Sequence, residues 1–313
     1  MKRDKRGLRA GHDEESGLDW QGPYIAVDWG TTNRRAWRIG ADGAVADSCA
    51  DDRGIRTVPE HGFAAEAEAL RARLGDLPML LGGMIGSDRG WRNVPYVPCP
   101  ADARALAAGL CRIDARTAIV PGVAQPDPAS PEVMRGEEVQ IIGALARGAL
   151  APGALVCCPG THAKWVRLEE GRIARFATWM TGEVFALISR HSILAPLLAG
   201  ETVPGAGFAA GVEAAADGDP LGHLFALRAG ALIACPRADA PGYASGLLIG
   251  AEVRAALARF GSEPPTLIGR PDLCALYAAA LTQVLGPAAP SATVIDGEAA
   301  FRAGIGAIIR EVA

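Results

Sequence analysis

Two short stretches constrain this chain more than anything else in it. Residues 24–37 read YIAVDWGTTNRRAW: an apolar run that ends in Asp28, a Gly30-Thr31-Thr32 turn, and a second apolar-aromatic run. Residues 154–168 read ALVCCPGTHAKWVRL, again an apolar run, a Gly160-Thr161 turn and an outgoing run that carries a tryptophan. Each predicts a β-hairpin whose tip offers backbone N–H groups, hydroxyls and a glycine that lets a ligand approach the main chain. Backbone N–H groups in such a concave turn form an anion site, and Asp28 could hold a hydrated cation beside it. One such turn has an ordinary explanation, because hairpin tips are rich in Asp, Gly and Thr for steric reasons. Two, in the two halves of one chain, point to phosphate binding.

The rest of the chain alternates strand and helix signals. Strands are expected at 44–50, 78–81, 117–120, 164–168, 172–178, 266–268 and 292–295. Helices are expected at 63–74, 103–110, 132–147, 183–198, 221–234, 243–260, 273–285 and 299–311. This is an α/β pattern in both halves. With 313 residues, two domains are expected, meeting at the GALAPG stretch, residues 148–153. The boundaries predicted are a flexible charged extension over 1–22, a first domain over 23–148 and a second over 149–313. The extension lacks the apolar middle of a signal peptide.

Half the residues are hydrophobic and the net charge is −4, which gives no electrostatic case for nucleic acid or anionic lipid. Charged residues interrupt every apolar stretch before membrane-spanning length. Seven cysteines, an odd number without a C-x-x-C pair, fit reduced thiols in the cytoplasm. The histidines show no metal-ligand spacing.

Other segments carry chemistry. Residues 82–91, GGMIGSDRGW, place three glycines in five residues after a buried strand, then polar and stacking groups. Val133-Met134-Arg135-Gly136-Glu137-Glu138 puts an arginine and two acids at the expected start of a helix. Acids there suit the helix dipole. Arginine also suits two-pronged recognition of a carboxylate, and a glutamate could accept a hydroxyl proton. His162 is a phosphate contact or polar turn filling, and Lys164 is read as a charge contact. Gly269-Arg270 ends a strand ahead of a helix.

The paired loops resemble the actin, sugar kinase and Hsp70 superfamily. The resemblance sharpens with YIAVDWGTTNRRAW, GGMIGSDRGW followed by Pro95-Tyr96, VMRGEEVQIIGA, PGTHAKWV, Thr181-Gly182-Glu183, SGLLIGAEV at 245–253 and DGEAAFRAGI at 296–305. In this order they are similar to the 2-dehydro-3-deoxygalactonokinase family. The chain departs from that family's Gly-Ser-Ser-like turn with Gly269-Arg270-Pro271-Asp272.

The resemblance implies two similar ribonuclease H-like α/β domains with an ATP cleft between them. It implies transfer of phosphate from ATP, with Mg2+, to the 6-hydroxyl of 2-dehydro-3-deoxy-D-galactonate in galactonate catabolism. Another 2-keto-3-deoxy sugar acid as acceptor, or a non-catalytic ATP-binding regulator, are the alternatives. Glu137, or else Glu138, would be the base, and Asp28 would hold magnesium through water. Asn33, Met84, Ile85, Gly86, Ser87, Trp91, Tyr96 and Arg135 would meet the sugar acid. Gly30, Thr31, Thr32, Gly160, Thr161 and His162 would meet the phosphates, and Gly269 and Arg270 the adenosine. The partners implied are small molecules, with neither nucleic acid nor membrane; a homodimer is compatible.

Overall fold

The computed structural model describes residues 20 and 22–312. Most of the extension expected over 1–22 lies outside the described residues. Trp20 does not follow that expectation: it is 4% exposed and belongs to the same buried cluster as Tyr24 and Trp37, so the body of the first half begins at least that early.

The first half contains β1 (Tyr24–Trp29), β2 (Arg34–Ile39), β3 (Val45–Asp51), α1 (Phe63–Leu74), β4 (Met79–Gly83), β5 (Val97–Pro98), α2 (Ala103–Ala108), β6 (Cys111–Asp114), β7 (Thr117–Ile119), β8 (Val123–Gln125), β9 (Glu132–Met134) and α3 (Glu137–Ala146). The second contains β10 (Leu155–Cys158), β11 (Ala163–Glu169), β12 (Arg172–Trp179), α4 (Thr181–His191), α5 (Ala206–Ala214), α6 (Pro220–Leu232), α7 (Ala240–Phe260), β13 (Thr266–Gly269), α8 (Pro271–Leu285), β14 (Val294–Asp296) and α9 (Gly297–Val312).

The two large sheets follow one plan. The first runs β3-β2-β1-β4-β7-β6 and the second β12-β11-β10-β13-β14. In each, an antiparallel three-stranded meander comes first, and its first strand then pairs in parallel with a later one: β1 with β4, β10 with β13. The phosphate-type turns are the first hairpin tips of the two meanders. A parallel neighbour on one side and an antiparallel one on the other bury both strands, so β1 and β10 read as continuous apolar runs.

Side-chain alternation sorts these strands between layers. Ile25, Val27 and Trp29 share a core with Phe63, Leu70 and Leu74 of α1. Tyr24 and Ala26 face the other way, into a cluster that also takes Val139 of α3, Phe301 and Ile305 of α9, and Val156 and Cys158 of β10. Leu155 and Cys157 of β10 turn outward to Val253 of α7 and Leu276 and Tyr277 of α8. The central core therefore lies between the two sheets and joins the halves.

Helices α3 and α9 meet there at backbone contact. A Cβ on Gly143 would lie 1.8 Å from the Ala300 carbonyl oxygen, and one on Gly304 would lie 1.9 Å from that of Val139. The same reciprocal notch joins α5 to α7, through Gly211 against Tyr243 and Gly246 against Phe208, at 2.1 and 2.0 Å.

Two expectations need correction. Residues 132–136 do not open a helix. β9 pairs antiparallel with β8, Gly136 turns the chain with φ 111°, and α3 begins at Glu137. β-branched Val133 favours the extended form. The helix expected over 183–198 stops at His191, where Ser192 is extended, and only a short turn, Ala195–Leu197, follows around Pro196. Helix α5 and the short strands β5, β6 and β8 carried no clear periodicity and were not expected.

Candidate active site

The first hairpin tip is fastened from behind. The carbonyls of Gly30, Thr31 and Thr32 accept N–H bonds from Ile55, Arg56 and Gly54 at 3.0, 3.2 and 3.2 Å. Gly54 is required for this contact, since a Cβ there would stand 2.4 Å from the Thr32 carbonyl carbon. With their carbonyls tied, Thr31 and Thr32 keep N–H groups that bond to no described residue, and both side chains are exposed. The second tip repeats the arrangement with different parts. Glu183 N–H donates to the Thr161 carbonyl at 2.9 Å, and a Cβ on Gly182 would lie 2.4 Å from the Gly160 oxygen. His162 Nε2 meets the Glu183 carboxylate at 2.5 Å.

Both tips open on one cleft of about 770 Å3. Thr31, Thr32, Arg56, Met84 and Arg89 line it from the first half, and Thr161, His162, Glu183, Arg190 and His191 from the second. Arg56, Arg190 and His191 were not predicted. Glu183, Leu187 and Arg190 recur at a spacing that puts them on one face of α4, a signal that could have found them. Arg56 had none, since only the fold brings it to the first tip.

Beside the cleft, a smaller cavity of about 90 Å3 is lined by Asp28, Arg35 and Gln140 on one side and by Gly269, Arg270, Asp296 and Glu298 on the other. Asp28 is the penultimate residue of β1 and is 3.8 Å from Arg35, which also holds Glu298 at 2.9 Å. Burial pushes the Asp28 carboxyl up to about 6; Arg35 opposes this and Glu137 and Glu298 add to it. Arg270 pairs with Asp272, its own helix-start neighbour.

The two glutamates differ in environment. Glu138 is fully buried and its two oxygens accept from the Gly136 N–H at 2.9 and 2.7 Å. Burial, and then the neighbouring Glu137, push it up to about 8. Glu137 is half-buried, accepts from the Arg135 N–H at 3.2 Å, and is also raised by burial, with Lys164 the largest opposing influence. Lys164 reaches from β11 to the Val133 carbonyl of β9 at 2.9 Å and to the Thr178 hydroxyl at 3.0 Å, so this buried ammonium joins the halves next to the acids.

Arg135 is 9% exposed and lies against the Tyr96 ring at 4.2 Å, with one Nη2 bond to the Val94 carbonyl at 2.7 Å. Its Nε and Nη1 are buried without a partner among the described residues. A Cβ on Gly86 would come within 2.8 Å of Nη1, so the turn is cut to fit the guanidinium. An unpaired buried cation is costly, and its cost is relieved by an anion. The other residues expected here are spread out. Asn33 is exposed at the first tip, Ile85 is fully buried in the core, and the Ser87 hydroxyl donates to the Met84 carbonyl at 2.7 Å. Trp91 lines a separate cavity of about 550 Å3 with Asp88 and Arg89.

These carboxyls set a pH dependence. A third buried acid, Glu252, binds Trp165 Nε1 and Tyr277 OH, both at 2.8 Å, and burial lifts it to about 7. For Asp28, Glu138 and Glu252 the folded state binds protons more tightly than the unfolded chain. Their contribution to stability is therefore fully present below the ordinary carboxylate range and is lost as pH rises to about 8. The ligand-free protein is expected to melt at a higher temperature at pH 5 than at pH 8. Melting scans at the two values test this, and an equal or higher melting temperature at pH 8 contradicts it.

Comparison with known proteins concerns the chain as a whole. The sequence family described as 2-keto-3-deoxy-galactonokinase matches residues 28–308. A protein of Rhizobium meliloti (strain 1021) named as a probable 2-dehydro-3-deoxygalactonokinase is 40% identical over 306 residues, covering 93% of this chain and 98% of its own. The 2-dehydro-3-deoxygalactonokinase of Escherichia coli (strain K12) is 35% identical over 295 residues, with the same coverage. A crystal structure of a candidate 2-dehydro-3-deoxygalactonokinase protein from Sinorhizobium meliloti superposes with a TM-score of 0.85 at 38% identity, over 92% of this chain and 98% of that one.

Proposed function

This chain belongs to the 2-keto-3-deoxy-galactonokinase family, and from that premise we propose how its own residues carry phosphate from ATP to the 6-hydroxyl of 2-dehydro-3-deoxy-D-galactonate. The chain is a sugar-acid kinase, a phosphotransferase with an alcohol as acceptor. The observation that carries the residue assignment is the pair of hairpin tips, each tied by its carbonyls from behind, that face one cleft; Arg135, with two buried donors unpaired among the described residues, is the candidate for the acceptor's carboxylate.

Phosphoryl transfer asks a protein mainly for positioning and charge neutralisation. In this reading Gly30, Thr31 and Thr32 on one side and Gly160, Thr161 and His162 on the other hold the phosphates by N–H and hydroxyl groups. Arg135 holds the sugar-acid carboxylate, with the backbone of the 84–87 turn beside it. Glu137 accepts the proton of the attacking hydroxyl, while Glu138 holds the Gly136 N–H and fixes the turn. Residues 23–148 and 149–313 act as two bodies that close over the cleft and exclude water. Gly269 and Arg270, which border the Asp28 cavity, approach the nucleotide from the second half.

The residues present fit magnesium. Asp28 is raised by burial and by two neighbouring acids, which a cation would relieve. Among the described residues no group of three acidic, histidine or cysteine side chains could hold a metal alone. That suits a hydrated ion shared between one carboxylate and the phosphates. When bound, magnesium neutralises phosphate charge; Asp28 would hold it through a water molecule.

The Asp28→Asn variant is expected to fold normally and to need about 10- to 100-fold more magnesium for half-maximal turnover, as for loss of an outer-shell carboxylate. Titration of turnover against magnesium measures it, and an unchanged requirement removes Asp28 from this role. Arg135→Lys keeps the charge but loses the planar donor set. It is expected to raise the sugar-acid KM about ten- to a hundredfold, the worth of roughly 1.5–3 kcal/mol for a charged hydrogen bond. An effect confined to ATP would sink the assignment.

A coupled ATP-consumption assay over a panel of 2-keto-3-deoxy sugar acids tests the function itself. The highest kcat/KM is expected for 2-dehydro-3-deoxy-D-galactonate. A better acceptor in the panel would change the substrate, and ATP use indifferent to every sugar acid would refute the kinase reading.

A further inference from the structure

At the opposite end of β1 from Asp28, a cavity of about 370 Å3 is lined by Tyr24, Arg147, Arg302, Arg310 and a floor of small residues that includes Gly306. Among the described residues no acidic side chain lines it, although the chain as a whole carries a net charge of −4. Among the described residues none of the three arginines forms an ion pair; Arg302 only lies over the Trp37 ring, at 5.3 Å. A Cβ on Gly306 would come within 3.1 Å of the Tyr24 hydroxyl and 3.6 Å of Arg310 Nη1, so the missing side chain leaves both polar groups room.

Helix dipoles explain part of this arrangement. Arg147 caps the C-terminus of α3, and Arg310 lies in the last turn of α9, where cations are favourable. They do not explain why Arg302, mid-helix against the Trp37 ring, shares one concave space with the other two and with no counter-charge among the described residues. Arginine is the side chain best matched to phosphate oxygens, and the volume falls within the range of small-molecule sites.

We propose that this cavity is a second anion site, separate from the cleft, that takes a small molecule bearing phosphate groups. Such a ligand would touch the end of α3 and the length of α9 together, next to the Gly143 and Gly304 crossing, and would bias the angle between the halves. The inference does not depend on the roles assigned in the cleft.

The test is calorimetric titration of the full chain, without magnesium and at fixed low salt, with inorganic pyrophosphate and with 6-phosphogluconate. Wild type is compared with Arg302→Gln/Arg310→Gln and with Arg302→Lys/Arg310→Lys. Any binding in the cleft is common to all three. The Gln pair is expected to lose one class of sites, with Kd raised at least about tenfold, while circular dichroism, kcat and both KM values without added anion stay as in wild type. The Lys pair is expected to retain the site in weakened form. Tighter 6-phosphogluconate would assign a phosphorylated sugar acid as occupant, and tighter pyrophosphate an inorganic or nucleotide polyphosphate. If the Gln pair fails to fold, Arg147→Gln on the exposed edge takes its place. Isotherms that superpose for wild type and the Gln variant, with either ligand, overturn the proposal.

Discussion

Replacing Glu137 by glutamine is expected to lower kcat at least about a hundredfold with little change in either KM, the lower end for loss of a general base. Glutamine keeps the size of the side chain and its place beside the Arg135 N–H, but cannot take a proton. Glu138 is nearly as close in sequence and differs in surroundings. It is fully buried, spends both oxygens on Gly136, and is raised to about 8 by burial and by Glu137. Glu137 is half-buried and its rise is opposed by Lys164. Because burial raises Glu137, activity should climb with pH through a value above that of an ordinary glutamate, and the limb should vanish in Glu137→Gln. Measuring kcat for both variants across pH decides between them. If Glu138→Gln is the inactive one, the roles are exchanged; if neither is impaired, the base lies elsewhere.

The second large effect is on stability. Alanine in place of glycine in an exposed helix gains about 1 kcal/mol of propensity. Gly304→Ala is expected to do the reverse and destabilise the protein by about 2 kcal/mol or more, in the range of overpacked cores. Its new methyl group would lie 1.9 Å from the Val139 carbonyl oxygen, a main-chain atom that cannot turn aside like a side chain. Denaturant unfolding compares the variant with wild type. A neutral or stabilising result would show that the two helices can separate at no cost.

Local rules made the hairpin tips readable. A buried strand must be apolar, a tight turn calls for Gly and Thr, and both demands fall on adjacent residues. The long helices α1, α7 and α8 were readable from apolar spacing and glycine stops. Gly54 and Gly182 were invisible in sequence as partners of those tips, since each acts on a backbone far from it in the chain. Residues 132–136 misled because acids at 137 and 138 look like a helix start, while β8 and β9, at three residues each, are too short to show an alternation that marks their hairpin. Arg135 was legible as a candidate by residue type alone; that two of its donors are left buried and unpaired could be seen only in three dimensions.

The notched crossing of α3 and α9 has a mechanical meaning. Two ordinary helices held by interleaved side chains can slip by adjusting rotamers. Here each helix presses its main chain into a gap one residue wide in the other; the neighbours on the same face, three or four positions away, are Val139 and Ala146 about Gly143 and Ala300 and Ala307 about Gly304. A slide along either axis would bring one of those side chains towards the opposing main chain. Rotation about the contact point meets no such obstacle. The joint is a pin rather than a slide, and any opening of the cleft that keeps it intact is restricted to turning.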